Sequence, residues 1–106
     1  MKTKVIFRRW HCGDIIALFP RLPADEAGQH CMSYEHIGQH GAATPDTVIM
    51  LTTAAKPQEY QELADELERI GYKLSIQKRV TKRDYLARTQ AAATTNQEGN
   101  DGNEPG

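Results

Sequence analysis

The stretch Pro57-Gln-Glu-Tyr-Gln-Glu-Leu-Ala-Asp-Glu-Leu-Glu-Arg-Ile-Gly-Tyr-Lys-Leu-Ser-Ile-Gln77 changes its apolar period once, and that change decides the fold class. Up to Ile70 the apolar residues Tyr60, Leu63, Ala64, Leu67 and Ile70 recur at the i, i+3, i+4, i+7 spacing of one helix face. Pro57 suits a first helical turn and Gly71 a left-handed C-terminal cap. Glu59 and Glu62 near the start and Arg69 near the end complement the helix dipole. From Tyr72 the period becomes two: Tyr72, Leu74 and Ile76 point one way and Lys73, Ser75 and Gln77 the other, as in a half-buried strand. A helix followed at once by a strand makes the chain a mixed one.

On the N-terminal side, Thr47-Val-Ile-Met-Leu-Thr-Thr53 has strong β-propensity and no breaker, so a buried central strand is expected there. That strand and the one over 72–77 would run parallel through a right-handed crossover. Further upstream, residues 2–10 and Ile15-Ile-Ala-Leu-Phe19 read as a hairpin turning over His11 to Asp14. Pro20 and Pro23 are expected to end its second strand, because proline cannot donate to a ladder. A loop over 20–29, a short strand over Cys31 to His36 and a glycine-marked loop through Gly38, Gly41 and Pro45-Asp46 follow. On the C-terminal side Thr81 and Asp84 have capping-box spacing for a short helix reaching Arg88. The expected architecture is α+β: a mostly antiparallel sheet of four to five strands with one main amphipathic helix, about 57–70, packed on one face.

A chain of 106 residues holds one core. Residues 1–88 are expected to form it. Residues 89–106 are nearly devoid of large apolar side chains, and a disordered C-terminal tail is expected because they cannot offset their ordering entropy. The 13 basic and 14 acidic residues nearly cancel, so net charge selects neither nucleic acid nor membrane. The distribution is uneven. With Glu98, Asp101 and Glu104 in the tail, the body carries a small positive excess; residues 59–68 hold five acids and no base, and residues 73–88 hold six bases and one acid. Lys2 and Lys4 precede only Val5-Ile-Phe7 before Arg8-Arg9, too short an apolar run for a signal peptide, and no stretch approaches a membrane span. The two cysteines, Cys12 and Cys31, leave room for one bridge and not for a disulfide scaffold. These features predict a cytoplasmic protein with reduced thiols.

Versatile side chains concentrate in Cys31-Met-Ser-Tyr-Glu-His-Ile-Gly-Gln-His-Gly-Ala-Ala43 and in His11-Cys12. Cys31, His36 and His40, with His11 or Cys12 as a fourth ligand, offer the thiolate and imidazole set that zinc prefers. Against this stand the missing C-x-x-C pair and the glycines, which make 36–40 a poor helix for an H-x-x-x-H face. A thiol nucleophile at Cys31 or Cys12 would need an imidazole beside it, but a strand sends adjacent residues to opposite faces; a small buried hydrophobe is the plainer fate of a free cysteine. Lys78, Arg79, Lys82 and Arg83, within the basic segment 78–88, have the charge of a phosphate-binding patch, set against a solvated basic edge. Glu59, Glu62, Asp65, Glu66 and Glu68 read as the solvent face of the helix. The Gly38-Gln-His-Gly41 segment lacks the endings of a phosphate loop and reads as a turn. What remains is a polar loop carrying Tyr34, His36, Gln39 and His40. It favours a non-enzymatic domain that binds a macromolecular partner, a protein foremost, with no cofactor; the zinc or thiol site and nucleic-acid binding are the alternatives.

The strings Asp14-Ile-Ile-Ala-Leu-Phe-Pro20, Ser33-Tyr-Glu-His-Ile-Gly-Gln-His-Gly-Ala-Ala43 and Leu63 to Tyr72 resemble those of small uncharacterised bacterial proteins, some carried on mobile elements. The resemblance spans about residues 1–79. It implies a compact cytoplasmic domain and assigns no activity or catalytic residue.

Overall fold

Val5, Ile6 and Phe7 are buried on both faces of the same strand, as are Ile16 to Phe19 of the next, and these two strands are the axis of the molecule. In the computed structural model, which describes residues 2–35 and 39–103, with side chains for 2–35 and 40–94, β1 (Thr3–Arg9) and β2 (Ile15–Pro23) form an antiparallel hairpin. β3 (Cys31–Glu35) pairs with β2, and β4 (Gln39–Ala43) with β3, both antiparallel. Beyond β4 come α1 (Pro45–Leu51), β5 (Thr53–Ala54), α2 (Pro57–Arg69), β6 (Leu74–Ile76) and α3 (Lys82–Asn103). The sheet runs β4-β3-β2-β1-β5, and β6 joins β1 in parallel. The α+β class holds. Among the described residues, however, the sheet has six strands and the helices number three, so the expected four to five strands and single main helix are corrected.

α2 forms where its period placed it. Leu63, Ala64 and Leu67 seat on Val5, Phe7, Ala17, Phe19 and Tyr34; burying a leucine side chain contributes about 1.5–3 kcal/mol. The Glu59 carboxylate accepts the Lys56 backbone N–H at 2.8 Å, half of a capping box, and Gly71 adopts φ +117 after the helix. The second face of the sheet is built from Ile6, Ile16, Leu18, Cys31 and Ala43, covered by Val48 with Trp10, Ile49 and Val80.

Three local expectations fail for identifiable reasons. Of the Thr47–Thr53 run, Thr47 to Leu51 belong to α1 and only Thr53 to a strand, β5: Pro45 starts the helix, and Pro45 and Val48 are its buried residues, a helical spacing. Its carboxyl end is capped from a distance by Arg8, whose Nη2 donates to the carbonyls of Ile49 (3.0 Å) and Thr52 (2.7 Å) and whose Nε donates to Thr52 Oγ1 (2.9 Å). Tertiary capping overrides the β-propensity of the segment. The parallel partner of β6 is therefore β1, not the Thr47 segment. β2 also continues through Pro20 and Pro23, because the register jumps from Phe19 opposite Met32 to Pro23 opposite Cys31, and prolines are tolerated in the bulge between. The presumed loop around Gly41 is β4. Gly41 lies opposite Ser33, where a Cβ would come within 3.3 Å of the serine Oγ.

α3 docks on the bulged end of β2 through polar contacts. Arg88 is buried and donates from Nε to the Gly28 carbonyl (2.7 Å) and from Nη1 to that of Pro20 (2.8 Å). Asp84 is also buried; its carboxylate accepts from Arg21 Nε (2.8 Å), Gln77 Nε2 (2.7 Å) and the Thr81 N–H (2.8 Å). Asp84 N–H donates back to Thr81 Oγ1 at 3.2 Å, which closes the capping box. α3 runs past Arg88, and Ala92 is buried beyond it. Residues 104–106 lie outside the described residues.

Candidate functional site

Tyr34 and His40 are cross-strand partners in the β3–β4 ladder, which places both on the face that α2 covers. Tyr34 is 2% exposed, so it is a buried prop and not the surface contact its loop assignment implied. Its ring meets the His40 imidazole edge-on at 4.7 Å, and its hydroxyl donates to the Glu66 carboxylate. His40 Nε2 lies 3.1 Å from the Tyr72 hydroxyl, and Tyr72 stacks on Phe19 with ring centroids 5.0 Å apart. The imidazole of His40 is thus held from two sides while remaining exposed at the outer strand of the sheet. Gln39 opens β4 opposite Glu35. His36 lies outside the described residues.

Glu66 and Tyr72 complete this cluster, and sequence reasoning missed both. Glu66 fell on the solvent face of an amphipathic helix and Tyr72 on the inward side of a strand. No spacing linked either to residue 34 or 40, since the link runs through strand pairing.

The thiol and metal alternatives fare differently. Cys31 belongs to the core on the opposite face from His40 and is fully buried, so Cys31 and His40 cannot hold one ion. Burial pushes the Cys31 thiol up to about 11, an effect that the nearby Arg88 charge only partly offsets, so the thiolate a nucleophile or ligand needs is disfavoured. Cys12 is exposed in the β1–β2 turn, and both cysteines are free. Glu35 pairs near the turn end of β2 and Cys31 at its far end, a separation of roughly 13 Å along the strand at ~3.3 Å per residue, too far for a bridge or for His11 and Cys12 to join Cys31. Among the described residues no three His, Cys, Asp or Glu side chains group as metal ligands.

The basic residues are dispersed by role. Lys78 and Arg79 follow β6, and Lys82 and Arg83 are exposed on the first turn of α3. Arg88, in the same segment, is consumed by its two backbone carbonyls, while Arg8 caps α1 and has its pKa lowered by desolvation. Elsewhere, Asp25 accepts from His30 at 2.6 Å, and that hydrogen bond holds its carboxyl below the usual range. Burial acts to raise the Asp84 pKa, but hydrogen bonds from Arg21, Thr81 and Gln77 outweigh it and hold the group below the ordinary carboxylate value.

On the α1 side of β4 lies a cleft of about 380 Å³ bordered by Trp10, Ser33, Glu35, Gly41, Thr44 and Thr47. The tyrosine contacts of His40 lie on the α2 face of β4, and His40 also borders this cleft. β4 pairs among the described residues with β3 alone. Among the described residues no helix is long and apolar enough to cross a membrane. A scan against protein-family models found no match, and searches of curated proteins and of solved structures returned none.

Proposed function

We propose that the chain is a non-enzymatic binding domain that takes up an extended segment of a protein partner along β4 by strand addition. The observation that carries this reading is the edge itself. β4 ends the sheet with one side unpaired among the described residues, and Gln39-His-Gly-Ala-Ala43 contains none of the lysines or prolines that usually blunt an edge strand. Backbone hydrogen bonds would supply affinity, and alternate side chains of the added strand would read the two faces. One set would meet the exposed His40, propped by Tyr34 and Tyr72, and the other the cleft beside Gly41 and Thr44. In this reading His40 and the backbone of 39–43 contact the partner, and Tyr34 and Glu66 position them.

The test uses a photo-crosslinking residue at Ala42 in cells, alone and combined with His40→Lys. A control carries Gln58→Lys on the exposed side of α2, and circular dichroism checks that each variant folds. A discrete cross-linked protein that is lost with His40→Lys and kept with Gln58→Lys is the expected result. No cross-linked protein, or one indifferent to the edge lysine, overturns the reading.

A further inference from the structure

The edge of β1 opposite β2 is shared by two short strands that leave a fork between them: β6 pairs with Thr3 to Val5, and β5 with Arg8 and Arg9. The fork is closed at either side by Gln77 N–H donating to the Val5 carbonyl (2.9 Å) and Ala55 N–H donating to that of Phe7 (3.2 Å). Between them is a recess of about 630 Å³, bounded on one side by the first turn of α2. Its floor is aromatic, with Phe7 and Tyr60 stacked at 4.4 Å and 9°. Ile76, 48% exposed, forms part of its wall. Two cations, Lys56 and Lys78, line it, and no acid does. Glu59, close to Lys56 in sequence, is already engaged: one oxygen is 3.1 Å from Arg9 Nε and the other accepts the Lys56 backbone N–H. Neither lysine ammonium forms an ion pair among the described residues. The neighbouring recess on the α1 side shares Ala54 and Lys78 but contains Asp46, so the charge excess belongs to the Phe7 and Tyr60 side.

We propose that this fork binds a small planar anion: a ring system bearing one carboxylate, sulfonate or phosphate group. The ring would cover the apolar floor and the anion would lie between Lys56 and Lys78. The volume lies within the usual range for small-molecule sites, and concave apolar walls with a few convergent polar groups are their usual composition. Because both lysines are solvated, each contributes modestly, about two- to fivefold in affinity. At ordinary ligand efficiency a ligand of about 15 heavy atoms would bind near or below about 1 mM. Free aromatic acids and mononucleotides share this chemistry, and the test separates them.

The experiment is an amide NMR titration of the full chain with adenosine 5′-monophosphate and naphthalene-2-carboxylate, each beside its uncharged counterpart, adenosine and naphthalene-2-carboxamide. Saturable shifts confined to Phe7, Ala55, Tyr60, Gln77 and their neighbours are expected for at least one anion. The Lys56→Gln/Lys78→Gln variant, with both sites exposed, should keep its fold and weaken binding at least fourfold. Response to the mononucleotide alone assigns the nucleotide class, and response to the naphthoate assigns the free acid. Equal binding of the uncharged counterparts, an undiminished response in the double variant, or no shift at the fork overturns the proposal.

Discussion

Replacing Asp84 by Asn changes one oxygen for an amide at the buried junction of α3 with β2 and β6. In the wild type the carboxylate accepts from three donors: Arg21 Nε, Gln77 Nε2 and the Thr81 N–H. Asparagine keeps one acceptor, which can still serve Arg21, but its amide nitrogen then faces Gln77 and Thr81, both donors. Hydrogen bonds to a charged group are worth about 1.5–3 kcal/mol each, and removing one member of a fully buried ion pair costs about 3–5 kcal/mol. The Arg21 side chain is 39% exposed and can regain water, which lowers the cost. The expected loss is therefore about 2–3 kcal/mol. For a domain of this size that corresponds to a fall in Tm of about 10–20 °C. Urea denaturation at pH 7, followed by circular dichroism, measures it. The pH dependence supplies an independent check. The folded pKa of Asp84 lies below its unfolded value, near 3.9, so the unfolded state binds more protons in the window between them. The carboxylate's contribution is complete above about pH 4 and disappears as pH falls through the folded value. The stability gap between wild type and Asp84→Asn should therefore be full at pH 7 and shrink as the pH falls below the unfolded value. A gap below about 0.5 kcal/mol at pH 7, or one that is unchanged on acidification, would refute the assignment.

Two further outcomes follow from the same packing. At Gly28, φ is +72 and an added Cβ would lie 2.9 Å from Thr89 Cα and 3.2 Å from Ala92 Cβ. Gly28→Ala should cost about 2–4 kcal/mol by chemical denaturation, from backbone strain plus overpacking. Gly71→Ala, at φ +117 with nothing within 4 Å, should cost only the strain; equal losses at both sites would contradict the close approach of α3. For the thiols, a colorimetric titration of the native protein at pH 8 should find Cys12 alone, with Cys31 reacting only after unfolding. The folded Cys31 pKa, about 11, exceeds the unfolded value near 8.5, so the folded state retains the proton longer. The associated stability is complete below about pH 8.5 and is lost as pH rises through 11. Fast native reaction of two thiols would be incompatible with the buried position of Cys31.

Sequence and structure agree where a pattern is local. The change from a 3.6-residue to a two-residue period at Gly71 placed α2 and β6, because amphipathic spacing depends only on which face meets the core. The β1–β2 turn and the Thr81–Asp84 box are equally local. Agreement ends where a distant group decides. Thr47 to Leu51 has strand-forming residues, yet Arg8, some forty positions away, caps it as a helix. Gly41 looks like a loop residue until Ser33 is seen opposite it.

The candidate site divides along the same line. Residue types alone singled out Tyr34, His36, Gln39 and His40 for binding and offered Cys31 with His36 and His40 as an alternative ligand set. Only the tertiary structure decided that Tyr34 is a buried prop, that Glu66 and Tyr72 complete its contacts, and that 39–43 is the outer strand of a sheet. Edge status is a property of what pairs with a strand, not of the strand, so no reading of β4 in isolation could have contained it. The fork between β5 and β6 exists for the same reason: two segments separated by the whole of α2 share one edge of β1 without meeting.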